Sequence, residues 1–282
     1  MSNTNPKTAA EHPFQKLVFS KLSLEESLWL KENISLIGKD ASGSKFIRTY
    51  SLVFRFISEE IPEWTDEEIL FLKEQYPGFS KNKFTKQTLC RAVVMSEVPQ
   101  ENRKIILKRL LESCSLKEQE DFFKNLYFLE APVELQNLAE EGVRTNVENV
   151  FDAIALNNPY PTKFLSEDAW NQMVLKAIFM GRPLYKIYDL VERHSLKLAL
   201  IANDYIKERW AANREVSPEI WQLFSDYKNP DLEMSLKKAK TSKSELERRA
   251  VELVFRETSS DKASKTRAWL ELGIEFNENK QI

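Results

Sequence analysis

Hydroxyl residues stand directly ahead of acidic, apolar-periodic segments along this chain, and that punctuation constrains the fold more than any other feature. Ser23 precedes Leu24-Glu25-Glu26, Thr65 precedes Asp66-Glu67-Glu68, and Ser166 precedes Glu167 and Asp168. A hydroxyl in such a place accepts from the open amides of a helical first turn, and the acids complement its positive end. Apolar residues then recur at spacings of three and four: Leu28, Leu30 and Ile34; Phe46, Tyr50, Val53, Phe54 and Ile57; Leu70 and Leu72. Only six glycines occur in 282 residues, several at the ends of these segments. The pattern predicts an all-α chain with no sheet.

Further helices are expected from Thr85, with Leu89, Val93, Val94 and Val98 inward, and from Arg103 to Cys114 beyond Pro99. Helix pairs joined at a proline are what α-solenoids stack, so the expected architecture is an elongated, HEAT-like array of antiparallel pairs. No repeat period is sharp enough to name a class. The boundaries expected are a disordered lead-in over residues 1–13, a helical region over 14–130, a central core over 131–222 and a helical cap over 223–282. Within the cap, residues 246–255 and 262–272 form the final pair and the chain frays from Glu275. The run Lys117-Glu118-Gln119-Glu120-Asp121 reads as a solvated face, and the basic cluster from Lys237 to Lys243 as a solubilising turn.

With 41 Lys and Arg against 43 Asp and Glu, the net charge of -2 carries no polyelectrolyte signal, which argues against nucleic acid as a partner. Cys90 and Cys114 show no CxxC spacing and read as core thiols in a reducing cytoplasm. No apolar run approaches the ~20 residues needed to span a bilayer, so the protein is expected to be cytoplasmic and not membrane-spanning. Two histidines, His12 and His194, cannot build a histidine-rich metal site. HExxH, a phosphate loop and a nucleotide fingerprint are missing from the sequence, so no cofactor is expected.

Residues 141–221 hold polar side chains where a helix packed only for stability would carry Leu or Val. On a helix over 141–156, Arg144, Glu148 and Asp152 recur every fourth residue beside the apolar face of Val143, Val147, Val150, Phe151 and Ile154. Asn158 lies between Asn157 and Pro159-Tyr160-Pro161, a stretch expected to be extended and stiff. Apolar residues surround the helix beginning with Trp170, which predicts burial all round; Asn171 is then a buried amide, with Gln172 and Lys176 on the one polar strip. A helix follows from Pro183 through Leu184, Ile187 and Leu190, and another spans 196–212. There Arg209 projects into the arc of Leu198, Ile201, Ala202, Tyr205 and Ile206. Its guanidinium is expected to meet a carboxylate from Asp204, Glu208, Glu148 or Asp152.

The same stretch resembles the EboA family of bacteria. The resemblance rests on Glu141-Gly142-Val143-Arg144-Thr145-Asn146, Val150-Phe151-Asp152-Ala153, Asn158-Pro159-Tyr160-Pro161, the run from Ala169 to Ala177, Asp204-Tyr205, Glu208-Arg209-Trp210-Ala211-Ala212 and Arg214. It covers roughly the central third of the chain. It implies a part in the traffic of a secondary-metabolite precursor, with partners among the metabolite itself and proteins of one gene cluster, including a membrane prenyltransferase-like protein. It also implies a ligand pocket at Arg144, Asp152, Asn171, Gln172, Lys176, Asp204, Glu208 and Arg209. Departures from the family pattern are Asp189, Val191 and Ser195 where Gly, Asp and Asn are common, and Ile206-Lys207 and Asn213 in place of Ala-His and Gly. Lys207 is no neutral base near pH 7, which weighs against hydrolytic chemistry.

The function expected is therefore a non-catalytic binding or adaptor protein whose ligand contacts include Arg144, Glu148, Asp152, Asn158, Trp170, Asn171, Gln172, Lys176, Asp204, Glu208 and Arg209. The alternatives are an enzyme working through Glu148, Asp152, Asp204 and Glu208, and a helical module with no ligand.

Overall fold

The computed structural model describes residues 12–129, 132–225, 227–255 and 262–279. Among these residues every regular element is a helix and no strand occurs. Two compact units divide the chain, Met1–Leu138 and Ala139–Ile282.

The first unit contains α1 (Pro13–Ser20), α2 (Leu24–Ile37), α3 (Ser44–Phe56), α4 (Asp66–Gln75), α5 (Lys86–Ser96), α6 (Arg103–Ser113) and α7 (Leu116–Asn125). Ser23, Thr65 and Ser115 cap α2, α4 and α7, and in each case the third helical residue, Glu26, Glu68 or Glu118, closes back on the cap amide. Helix α5 lies at the centre, packed on α1, α3 and α7, and every residue from Gln87 to Met95 is buried. Its interior includes one charge. Arg91 pairs with Asp121 of α7 at 2.5 Å, with the two side chains 1% and 0% exposed. Thr88 donates to the other oxygen of Asp121 at 2.7 Å, and the Tyr50 hydroxyl donates to the Glu118 carbonyl at 2.9 Å. The run 117–121 is thus no solvated face: Glu118 and Asp121 point inward, because α5 offers a buried guanidinium that needs a carboxylate.

The lead-in expected over residues 1–13 falls outside the described residues except for His12 and Pro13, which cap and open α1. Cys90 is buried and Cys114 half-buried; both thiols are free, and burial pushes Cys114 up to about 12.

The second unit continues from α8 (Gln136–Arg144), inside which the division falls. It comprises α9 (Glu148–Ala155), α10 (Pro159–Phe164), α11 (Glu167–Phe179), α12 (Leu196–Ala211), α13 (Pro230–Ala239), α14 (Glu245–Phe255) and α15 (Lys262–Asn279). Short 3-10 turns at Leu184–Lys186 and Pro218–Phe224 tie α15 and α14 to the middle of the unit. Glu219, 2% exposed, accepts from the Tyr185 amide at 2.7 Å and from the Asn277 side chain at 3.0 Å.

Several sequence expectations are corrected here. Residues 141–156 form two helices, broken over residues 145–147, not one. Residues 157–161 are not an extended linker: Asn158 caps α10, and Pro159 sits at its first turn, where a missing amide costs nothing. The helix expected from Pro183 shrinks to the Leu184–Lys186 turn: Ile187 is already extended at φ -73° and ψ 118°, and Asp189 follows at φ +55°. Burial around α11 is incomplete, with Phe179 64% exposed. Helix α15 runs on to Asn279 instead of fraying from Glu275.

Candidate functional site

The polar residues of the central stretch are satisfied mainly by main chain. Short helices leave several end carbonyls open, and cations suit that negative end. Lys176 of α11 donates to the carbonyls of Arg144 and Thr145 at 2.8 and 2.6 Å, closing the end of α8, and burial pulls its ammonium below the ordinary lysine value. Arg193 does the same for α10. Its guanidinium meets the carbonyls of Pro161, Thr162 and Leu165 and stacks 4.8 Å over the Trp170 ring, whose Nε1 donates to the Arg193 carbonyl at 2.6 Å.

Arg209 follows this pattern and not the expected one. It is half-buried, lies 5.9 Å over the Tyr205 ring, and forks onto the Glu215 carbonyl at 2.9 and 2.7 Å. No carboxylate reaches it among the described residues. Asp204 and Glu208 are exposed on α12. The ladder also resolves differently. Arg144 turns back to Glu140, while Glu148 and Asp152 are gripped by Arg182, which follows Gly181 at the end of α11. Asn158 is buried, donating to the Ala153 carbonyl and accepting from the Tyr160 amide, both at 2.9 Å. Asn171 is 4% exposed and reaches the Ser195 hydroxyl at 3.5 Å; Gln172 is exposed. The eleven sequence-derived residues are therefore spread over α8 to α12.

What Arg209 positions is a loop. Helix α12 ends with Asn213 at φ +53°, its amide bonded to the Trp210 carbonyl and the Arg214 amide to the Arg209 carbonyl. This pairing is a Schellman closure. The Arg209 fork then holds the next residue. Together they set residues 213–218 as one wall of a cleft of about 370 Å³. Trp210, Val216, Pro218 and Phe276 supply its apolar lining, and Arg214, Glu215, Ser242, Lys243, Ser244 and Glu247 its polar groups. Lys238 sits 4.1 Å over the Trp210 ring. Sequence reasoning missed Arg182, Arg193 and Glu247, although Glu247 shares the buried face of α14 with Ala250 and Val251. A second cleft, of about 290 Å³, lies in the first unit among Phe14, Gln75, Arg103, Tyr127 and Phe128.

Compared with known protein families, the chain matches the model of EboA, the metabolite traffic protein, over residues 11–225. The chain belongs to the EboA family. The match reaches well beyond the central third on which the resemblance rested and takes in the helices of the first unit. No curated protein and no solved structure matches the chain. Asp189 and Asn213, two of the positions singled out in the sequence, both occupy the left-handed region at φ +55° and +53°. Glycine enters that region freely, and Asp and Asn are the side chains that tolerate it best. Ser195 caps α12 by accepting from the Leu198 amide at 3.1 Å. Lys207 faces Asp231 of α13 at 3.5 Å. Among the described residues no helix is long and apolar enough to cross a membrane, and no three of His, Cys, Asp and Glu gather as a metal would need.

Proposed function

We propose that this EboA-family chain is a non-catalytic binding protein that holds a small metabolite in the cleft walled by residues 213–218 and passes it between proteins of the same gene cluster. The observation carrying the reading is the cleft itself. Its volume of about 370 Å³ suits a small ligand, and its lining joins aromatic and aliphatic surface to a few polar groups. Family-pattern residues serve it directly: Trp210 and Arg214 line it, and Arg209 fixes its wall. A carboxylate-based reaction is less well supported, because Glu148 and Asp152 are occupied by Arg182 while Asp204 and Glu208 stand apart on the exposed side of α12. The remaining sequence-derived residues then act as supports of the helices around the cleft.

Native mass spectrometry of the protein purified from its own host tests this. A stoichiometric small-molecule adduct is expected. Turnover of that molecule on incubation, or a chain that carries only a protein partner, would overturn the reading.

A further inference from the structure

Glu247 is the one buried charge in the lining of the cleft. It is 7% exposed and lines the cavity, yet forms no ion pair among the described residues; its Oε1 accepts only the Trp221 indole N–H, at 3.3 Å. Three basic residues nearby are engaged elsewhere. Arg248 donates to the Ser242 carbonyl at 2.6 Å, Arg249 pairs with Glu275, and Lys238 lies on Trp210.

Comparison within the molecule sharpens the point. Glu247 holds the third position of α14, after Ser244, whose hydroxyl accepts from the Glu247 amide. Glu26, Glu68 and Glu118 occupy the same position in α2, α4 and α7, and each bonds back to its cap amide. At α14 that amide instead donates to the Ser242 hydroxyl at 3.2 Å. The Glu247 carboxylate is thereby released from capping and presented to the cavity. The positive end of α14 offsets only part of that charge; a buried carboxylate without a full counter-charge is costly, and an incoming cation removes that cost.

We infer that the cleft takes an organic cation, a primary ammonium on an apolar body, with the ammonium seated on Glu247. The apolar body lies against Trp210, Val216, Pro218 and Phe276, and aromatic surface suits the vicinity of a cation. Arg214 and Lys243 do not reverse the preference. Both are exposed, where solvent screens their charge, while Glu247 is desolvated. Glu247 lies beyond the residue 11–225 family match, so this chain's C-terminal helices supply the selectivity. The inference rests on the cleft being the binding site.

Matched probes test it: phenethylamine and tryptamine against phenylacetate and indole-3-acetate, titrated calorimetrically into the full chain. The amines are expected to bind at least tenfold tighter than the corresponding acids. Glu247→Gln, which keeps an acceptor for Trp221, is expected to erase that preference with an unchanged circular dichroism spectrum and a melting temperature no lower than that of the wild type. Tighter binding of the acids, no measurable amine binding, or amine affinity unaffected by Glu247→Gln would each overturn the inference. Acid binding that is abolished by Trp210→Ala would overturn only the charge preference and leave the cleft as the site. A native adduct indifferent to Trp210→Ala would remove the cleft reading itself.

Discussion

The guanidinium of Arg209 donates twice to the main-chain carbonyl of Glu215, through Nε at 2.9 Å and a terminal nitrogen at 2.7 Å. The bond ties the last turn of α12 to the loop that walls the cleft. Because the acceptor is main chain, the Glu215 side chain plays no part in it. Arg209→Met is expected to cost about 1 kcal/mol, discounted for partial exposure, and to speed amide exchange over residues 213–217. Glu215→Ala is expected to change neither. Equal effects from the two substitutions would show that the carboxylate, not the carbonyl, holds Arg209.

Left-handed backbone at Asn213 and Asp189 makes a second prediction. Asn213→Gly and Asp189→Gly should each stabilise the chain by roughly 0.5–1 kcal/mol, because glycine has no Cβ to strain at positive φ. Asn213→Val should destabilise it. Thermal or urea unfolding reads the sign, and destabilisation by both glycines would mean that the polar side chains contribute more than the strain they carry.

In the first unit the Arg91–Asp121 pair is sealed from solvent. Asp121→Ala leaves a guanidinium buried without its counter-charge and should cost about 3–5 kcal/mol in urea unfolding. A loss below about 1 kcal/mol would place Arg91 in solvent contact instead.

Glu26 gives the unit a pH dependence. Burial alone would raise its pKa, but amide hydrogen bonds from Ser58 and Ser23, each at 2.8 Å, outweigh burial, and with Lys86 they hold the carboxyl below its ordinary 4.5. A carboxyl whose folded pKa is depressed stabilises the native state above its unfolded pKa, and that contribution disappears as pH falls through the folded value. The stability gap between wild type and Glu26→Gln should therefore be full above about pH 5 and close on acidification. A gap independent of pH would contradict this assignment.

Helix identity was legible where the signal is local. Ser23, Thr65 and Thr85 announce their helices through cap chemistry confined to a single turn. Proline misled at one place: Pro159 read as part of an extended stretch, yet it occupies the first turn of α10, behind Asn158 as its cap. The partners of the central cations were not legible. A helical projection places Arg209 among side chains, but its acceptor is a loop carbonyl six residues on, which no residue type encodes. Asp121 was hidden for the converse reason, since a run of charges looks solvated until a distant Arg91 is brought against it. Family membership was legible from the motif run alone, though only its central part.

The central claim, a metabolite held in the cleft beside Trp210, is tested most directly by native mass spectrometry of wild type and Trp210→Ala purified side by side from the native host. A small-molecule adduct present in the wild type and lost or strongly depleted in Trp210→Ala, at equal folding, is the result predicted. An adduct of equal occupancy in both proteins would contradict it.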